Sequence, residues 1–208
     1  MTSGAAHARS ALYGLFAELL SFPTEGLVES SREGRLEEAF GGITGGLPYG
    51  LEIDSGLTDE ALTYLDLQSE YMRLFDLPGG GPACPLYVGV FAHSRRDAME
   101  ELLRFYRYFG LTIAADSHDL PDALPTVLEF MHYLAGREAH AEPGQAMDSF
   151  RAAQRDILER HILRWVAMAT VRLPERQAPQ FYLAVVNTLH EFCAAEQSLL
   201  GRPVARAG

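Results

Sequence analysis

Apolar residues recur every three or four positions along nearly the whole chain, whereas the strict alternation of a half-buried strand is hard to find. This pattern predicts a first helix over residues 8–20, with Leu12, Leu15, Phe16 and Leu19 on one stripe and Pro23 marking its end. A weaker, more polar helix follows over 24–40, and the Gly- and Pro-bearing stretch 41–56 reads as a loop. Thr58 is the expected cap of a third helix. Asp59 and Glu60 complement its positive end, its inner stripe is Leu62, Leu65, Ser69 and Met72, and Phe75 flanks that stripe. The run Leu77-Pro78-Gly79-Gly80-Gly81-Pro82 breaks the pattern completely. Further helices are expected over 94–109, closed by Gly110; from about Pro121 to Ala139, with Leu124, Leu128, Met131 and Leu134 or Ala135 inward; over 145–171, carrying Phe150, Ile157, His161, Trp165 and Met168; and over 180–200, ended by Gly201. Pro174 and Pro179 bracket a short connector before the last of these. The reading is a single-domain all-α bundle of about seven helices spanning 1–208, with a hinge loop over 76–93 and a flexible tail over 202–208.

Composition narrows what such a bundle does. The 208 residues include 28 acidic side chains against 17 basic ones, a formal charge of −11, and every basic residue is Arg. The absence of Lys excludes a Schiff base, a lysine general base and a Walker-type phosphate loop. The acidic balance argues against a nucleic-acid partner and suits a basic one, although solubility alone is a sufficient reason for it. No apolar run approaches the roughly 18 residues of a membrane span, and the N-terminus lacks the pattern of a secretion signal. Cys84 and Cys193 stand far apart without a CxxC pair, as in a reducing compartment. A cytoplasmic protein without membrane insertion is expected.

Candidate chemistry is sparse. Asp116, His118, Asp119 and Asp122 crowd an imidazole and three carboxylates into seven residues ahead of a helix. That cluster serves either as a divalent-metal site, with Asp116, His118 and Asp119 supporting metal-dependent hydrolysis, or as helix N-capping. His190 and Cys193 share a helical spacing, yet two ligands do not make a site, and core packing is the simpler reading. Gly79-Gly80-Gly81 lacks the Lys and the preceding strand of a phosphate cradle, and supports a nucleotide- or cofactor-binding module only weakly. Tyr106 and Tyr108 cannot both point inward beside Phe105 and Phe109, so exposed aromatics rimmed by acids are expected to form a groove for an apolar segment with basic flanks.

Two blocks of residues carry a resemblance. Glu70-Tyr71-Met72-Arg73-Leu74-Phe75, a Gly/Pro loop, and Pro85-Leu86-Tyr87-Val88-Gly89-Val90-Phe91 form the first. Asp119-Leu120-Pro121-Asp122-Ala123-Leu124-Pro125 with Leu128-Glu129-Phe130-Met131 and Leu134 forms the second. Together they resemble the TorD/DmsD/NarJ family of redox-enzyme maturation chaperones, whose E-Y-x-x-L-F-like helix end leads through a Pro-rich loop to a P-Y-E-S-V-Y-like stretch and later to L-P-D-H-L…L-E-F-M…L. Two departures stand out. The acid–Ser pair after the tyrosine is Val88-Gly89, and the His after the second-block Asp is Ala123.

The resemblance implies a non-enzymatic cytoplasmic chaperone. It would bind the catalytic subunit of a molybdenum oxidoreductase, or that subunit's twin-arginine signal peptide, until molybdopterin guanine dinucleotide is inserted. No permanently bound cofactor or metal is implied, but transient contact with that cofactor or with GTP is. The chain would be a monomer or an exchangeable dimer. Asp119 and Asp122 would make charged contacts, with His118 beside them; Tyr71, Phe75, Pro85, Tyr87, Leu120 and Pro121 would shape the groove, and Glu129 would add an acid. The competing structural readings are core packing for Tyr71 and Phe75 and helix capping for Asp122.

Overall fold

The computed structural model describes residues 3–76, 82–113, 120–142 and 144–201. Nine α-helices lie among them: α1 (Ser3–Leu19), α2 (Glu25–Arg32), α3 (Arg35–Thr44), α4 (Tyr64–Tyr71), α5 (Arg95–Tyr108), α6 (Leu124–His140), α7 (Gln145–Ile157), α8 (Leu163–Glu175) and α9 (Gln180–Leu200). α7 and α8 are one rod joined by a π-helical turn over Leu158–Ile162, and a second π turn, Met72–Asp76, extends α4. Extended pairing among the described residues is limited to a single antiparallel bridge, Tyr87 with Ala123. The all-α expectation holds.

The helix count departs from seven for local reasons. The expected helix over 24–40 is two, because Gly34 adopts φ 72° and reverses the chain between α2 and α3. α3 then continues through Gly41 and Gly42 to Thr44, where a loop was expected. Thr58 does not cap α4; Thr63 does, its hydroxyl accepting the Asp66 N–H at 3.2 Å. The helix starts late because Leu57 is fully buried in a 3-10 turn, with its carbonyl bound by Ser31 Oγ at 2.7 Å. That shift rotates the inner face: Leu65, expected inside, is 73% exposed, while Leu67, Leu74 and Phe75 are buried. The α7–α8 rod runs through Pro174 to Glu175 rather than ending before it.

α1 lies along α6 for most of its length. Small residues set the distance. A Cβ on Gly14 would stand 3.2 Å from His132 Nδ1, and one on Gly136 would stand 3.2 Å from Ser10 Oγ, so both glycines allow the backbones to approach. Ser10 Oγ then donates to the His132 carbonyl across the interface at 2.8 Å. Behind this pair, Tyr13, Phe16, Phe40, Trp165, Phe181, Tyr182 and Phe192 fill a continuous core with α8 and α9.

A charged network runs through the middle of that core. Arg9 of α1 is fully buried and meets Glu196 of α9 side-on, with Nε to Oε1 at 2.7 Å and Nη2 to Oε2 at 2.8 Å. Its Nη1 donates to Glu138 of α6 at 2.8 Å and its Nη2 to Gln154 of α7 at 2.6 Å. Arg151 donates to the second Glu138 oxygen at 2.8 Å, and the Tyr13 and Tyr49 hydroxyls donate to Glu196 at 2.9 and 2.7 Å. Burial works to raise the Glu138 pKa, but Arg9, Gln154 and Arg151 outweigh it and hold the carboxyl below its ordinary range. Burial and then the Glu196 charge push both phenols up, keeping them protonated as donors.

Replacing one partner of such a pair leaves an uncompensated buried charge. Arg9→Met is therefore expected to lower unfolding free energy by about 3–5 kcal/mol, read by urea denaturation. The depressed Glu138 pKa fixes the sign of the acid response. Its contribution is complete above the unfolded value of 4.5 and is lost as pH falls through the lower folded value. The urea midpoint of Glu138→Gln should consequently fall less than that of the wild type on acidification below about pH 4.5, and equal losses would contradict the assignment.

Candidate functional site

Residues 82–92 form a strap that brings the two sequence blocks together. Its start is tied to the end of the α4 π turn, where Cys84 N–H donates to the Leu74 carbonyl at 2.8 Å. Trp165, buried in α8, donates Nε1–H to the Pro85 carbonyl at 2.9 Å. The strap then pairs with the segment that opens α6: Val88 N–H reaches the Asp122 carbonyl at 2.9 Å, and Leu124 N–H reaches the Leu86 carbonyl at 2.8 Å. These two bonds flank the Tyr87–Ala123 bridge. Blocks separated by about thirty residues in sequence thus share one backbone junction. The described part of the expected hinge, 82–93, is held at its start and middle by these contacts.

Asp122 sits at this junction with its side chain fully buried. The segment is positioned from below by Tyr106, whose hydroxyl donates to the Pro121 carbonyl at 2.8 Å. The Asp122 carboxylate neither caps α6, whose N-cap is Ala123, nor faces solvent. Instead Arg95 grips it from two sides, with Nε to Oδ2 at 2.7 Å and Nη2 to Oδ1 at 3.1 Å. The same guanidinium lies over the Tyr87 ring, Cζ 4.5 Å from its centroid. Its hydrogen bond to Asp122 raises the Arg95 pKa, more than offsetting the opposing effect of burial. Gly89 makes room for the pair: a Cβ there would stand 2.7 Å from Asp122 Oδ2 and 3.0 Å from Arg95 Cγ. The Val88-Gly89 departure from the family pattern therefore coincides with a close packing of carboxylate and guanidinium.

The remaining predicted residues fall into three groups. Pro85, Tyr87 and Pro121 are half-buried around the junction, and Leu120 beside it is 40% exposed. Tyr71 and Phe75 lie at the strap's other end in an aromatic chain. Phe22 meets Tyr71 edge-on at 5.4 Å, Tyr71 meets Phe75 at 5.3 Å, and Phe75 meets Tyr182 at 5.1 Å. Phe75 is core, while Tyr71 is half-buried and Phe22 is 49% exposed. Glu129, on the exposed side of α6, lines a cleft of about 280 Å³ with Glu18 and Phe22. His118 and Asp119, and with them the Asp116–His118–Asp119 cluster, lie outside the described residues. Among the described residues no three His, Cys, Asp or Glu side chains are grouped to hold a metal ion.

The two cysteines are structural. Burial pushes the Cys84 thiol up to about 12, and burial together with Glu196 raises that of Cys193. His190 is exposed on α9, whereas Cys193, three residues on, is buried. The expected aromatic groove exists between α5 and α7, with a volume of about 620 Å³. Phe105, Tyr108 and Phe109 line it, Tyr108 being 73% exposed and Tyr106 buried. Its rim is mixed rather than acidic, because Arg160 pairs with both Glu101 and Asp156, and Arg104 joins them.

Sequence reading missed Arg95. One signal was available: Arg95 and Arg96 open α5, placing positive charge at the positive end of a helix dipole, which local rules disfavour. At Arg95 the violation accompanies a tertiary partner, Asp122, whereas Arg96 pairs only with Glu100 one turn along the same helix. If Gly89 is small because the pair needs the space, Gly89→Ala should lower stability by about 1–3 kcal/mol in thermal or urea denaturation, and wild-type stability would show that the pair can shift freely.

Comparison with known proteins shows the family to which the two blocks belong. The model of the nitrate reductase delta subunit family matches residues 36–170, which contain both blocks and the junction. The chain is 32% identical over 196 residues to the perchlorate reductase assembly chaperone protein of Dechloromonas aromatica (strain RCB), covering 90% of this chain and 88% of that one. It is 34% identical over 158 residues to the selenate reductase assembly chaperone protein of Thauera selenatis, with 74% and 81% covered. It is 36% identical over 151 residues to the chlorate reductase assembly chaperone protein of Ideonella dechloratans, with 71% and 77% covered. With both blocks joined at one junction inside the matched region, the chain belongs to the nitrate reductase delta subunit family of molybdoenzyme maturation chaperones.

Proposed function

We propose that this chain is an assembly chaperone that holds the catalytic subunit of a molybdenum oxidoreductase in the cytoplasm while its cofactor is inserted, and that it performs no catalysis itself. The observation that carries the reading is the junction of the two family blocks, on a chain whose relatives are assembly chaperones for perchlorate, selenate and chlorate reductases. No helix among the described residues is long and apolar enough to cross a membrane.

In this reading the client presents an arginine-bearing segment, such as an N-terminal signal peptide, to the surface around the strap. Tyr87, Pro85, Leu120 and Pro121 offer apolar contact, Tyr71 and Phe22 extend it, and Glu129 with Glu18 supplies negative charge for basic flanks. Asp122 contributes from within. The molybdopterin cofactor is the client's cargo, so its contact with the chaperone is transient, and GTP is the nucleotide to test by calorimetry. The net charge of −11 steers a basic segment toward the chain. The metal-hydrolase alternative gains no support from the relatives.

The test is recovery of the client. Affinity purification of the tagged chain from its native organism, followed by mass spectrometry, should yield a molybdenum oxidoreductase catalytic subunit. Deleting the gene should abolish that enzyme's activity while its transcript persists. If no such subunit co-purifies and all molybdenum-dependent activities survive deletion, the reading is wrong.

A further inference from the structure

We propose that the corner formed by Asp122 and Tyr87 is a guanidinium seat, which the chain fills with its own Arg95 when no client is bound, and that a client arginine enters by displacing Arg95. The inference rests on the chaperone reading for its occupant, and on the geometry of the chain for the seat.

The seat has the two features that recognise a planar, delocalised cation. A carboxylate presents both oxygens to adjacent N–H donors, at 2.7 and 3.1 Å, and an aromatic ring covers the face of the cation at 4.5 Å. An ammonium group lacks the planar pair of N–H donors that matches both carboxylate oxygens under the ring, so the seat favours arginine over lysine. Every arginine-specific contact that a client side chain needs is already built and already made, by a residue of the chaperone.

The two sides of the pair are held very differently. Asp122 is fully buried and fixed by its own carbonyl's bond to Val88 and by the Tyr106–Pro121 bond beside it, in the space that Gly89 leaves by having no Cβ. The Arg95 side chain is 39% exposed and therefore has a way out to water. Leaving costs α5 nothing in capping, because Ser94 caps the helix independently, accepting the Asp97 N–H at 3.2 Å. Retreat also moves a positive charge away from the positive end of the helix dipole.

Exchange avoids the main penalty of opening a buried ion pair. A buried carboxylate without a partner is strongly unfavourable, but swapping one guanidinium for another leaves Asp122 paired at both ends of the process. Arg95 thus keeps the seat neutralised and formed while it is empty of client, and it sets a threshold that a weak or lysine-bearing segment does not pass. Leu120 and Val90, 40% and 42% exposed, stand on the two segments that meet at the junction and offer apolar contact to residues beside the incoming arginine. A self-occupied seat lowers apparent affinity by the fraction of molecules in which it is open.

The experiment uses the full chain and two small cations, ethylguanidinium and ethylammonium. Arg95→Ala should melt below the wild type and be restored by ethylguanidinium but not by ethylammonium, with the wild type unaffected at the same concentrations. Trp165, the single tryptophan, bonds the strap at Pro85 and reports occupancy by fluorescence. The deciding readout is affinity for a short peptide with one arginine between two leucines, compared with its lysine counterpart. Removing a placeholder that leaves about a tenth of the seats open tightens arginine-peptide binding roughly tenfold, whereas removing a merely structural arginine weakens binding or leaves it unchanged. Should Arg95→Ala fail to fold, Arg95→Lys retains a cation without the paired contact, and in it the arginine peptide should still gain over the wild type. Absence of guanidinium selectivity, or no gain in peptide affinity in either variant, overturns the seat while leaving the chaperone reading to the co-purification test.

Discussion

Arg9 carries a positive charge through the centre of the bundle, and the helices around it are placed by what that charge requires. A guanidinium removed from water is tolerable only if nearly all its donors are met, and here α9, α6 and α7 each supply an acceptor. Glu196 and Glu138 balance Arg9 and Arg151, so the network is neutral as well as hydrogen-bonded. Tyr49 extends it to the loop after α3. Apolar packing alone tolerates sliding of one helix along another; a side-on Arg–Glu pair does not. The network therefore supplies register to a bundle whose mass is ordinary aliphatic and aromatic packing.

The functional junction lies away from this network but is built by the same logic on a smaller scale. The strap has no helix or sheet of its own to satisfy its backbone, apart from one 3-10 turn. It borrows partners from its surroundings: the Leu74 carbonyl from the α4 extension, Trp165 from α8, and the Val88–Asp122 and Leu124–Leu86 bonds that flank the bridge. Trp165 and Tyr106 each use a buried aromatic body for the core and a single polar tip for a loop carbonyl, linking core packing to the shape of the surface. α5 connects the two surfaces of interest, with Arg95 at its start in the junction and Tyr108 near its end in the α5–α7 groove.

Much of this site was legible as a set of residues and little of it as an arrangement. The two blocks were identifiable from their spacing and composition, and the family match spans both. Phe75 is ambiguous in the sequence between core and groove and is core; Tyr71, four residues earlier, is half-buried. The sequence allows Asp122 as either a partner contact or a cap, and both roles need a carboxylate without a prior partner. The intramolecular partner, Arg95, lies 27 residues away. Sequence pattern has no means of pairing them beyond the misplaced charge at the start of α5.

What the sequence determined by itself is the class of fold and the position of most breaks. Period-3.6 apolar stripes, Ser94 and Gly110 around α5, and Gly201 after α9 act within a few residues of themselves, so their consequences can be read locally. Tertiary structure decided the rest. It moved the start of α4 from Thr58 to Thr63 because burying Leu57 outweighed a cap of about 1 kcal/mol, and it turned Leu65 outward as a result. It also chose the partners of Arg9, Glu138, Glu196, Arg95 and Asp122. A buried charge is settled by whichever opposite charge the packing brings near, and that distance is a property of the folded chain alone.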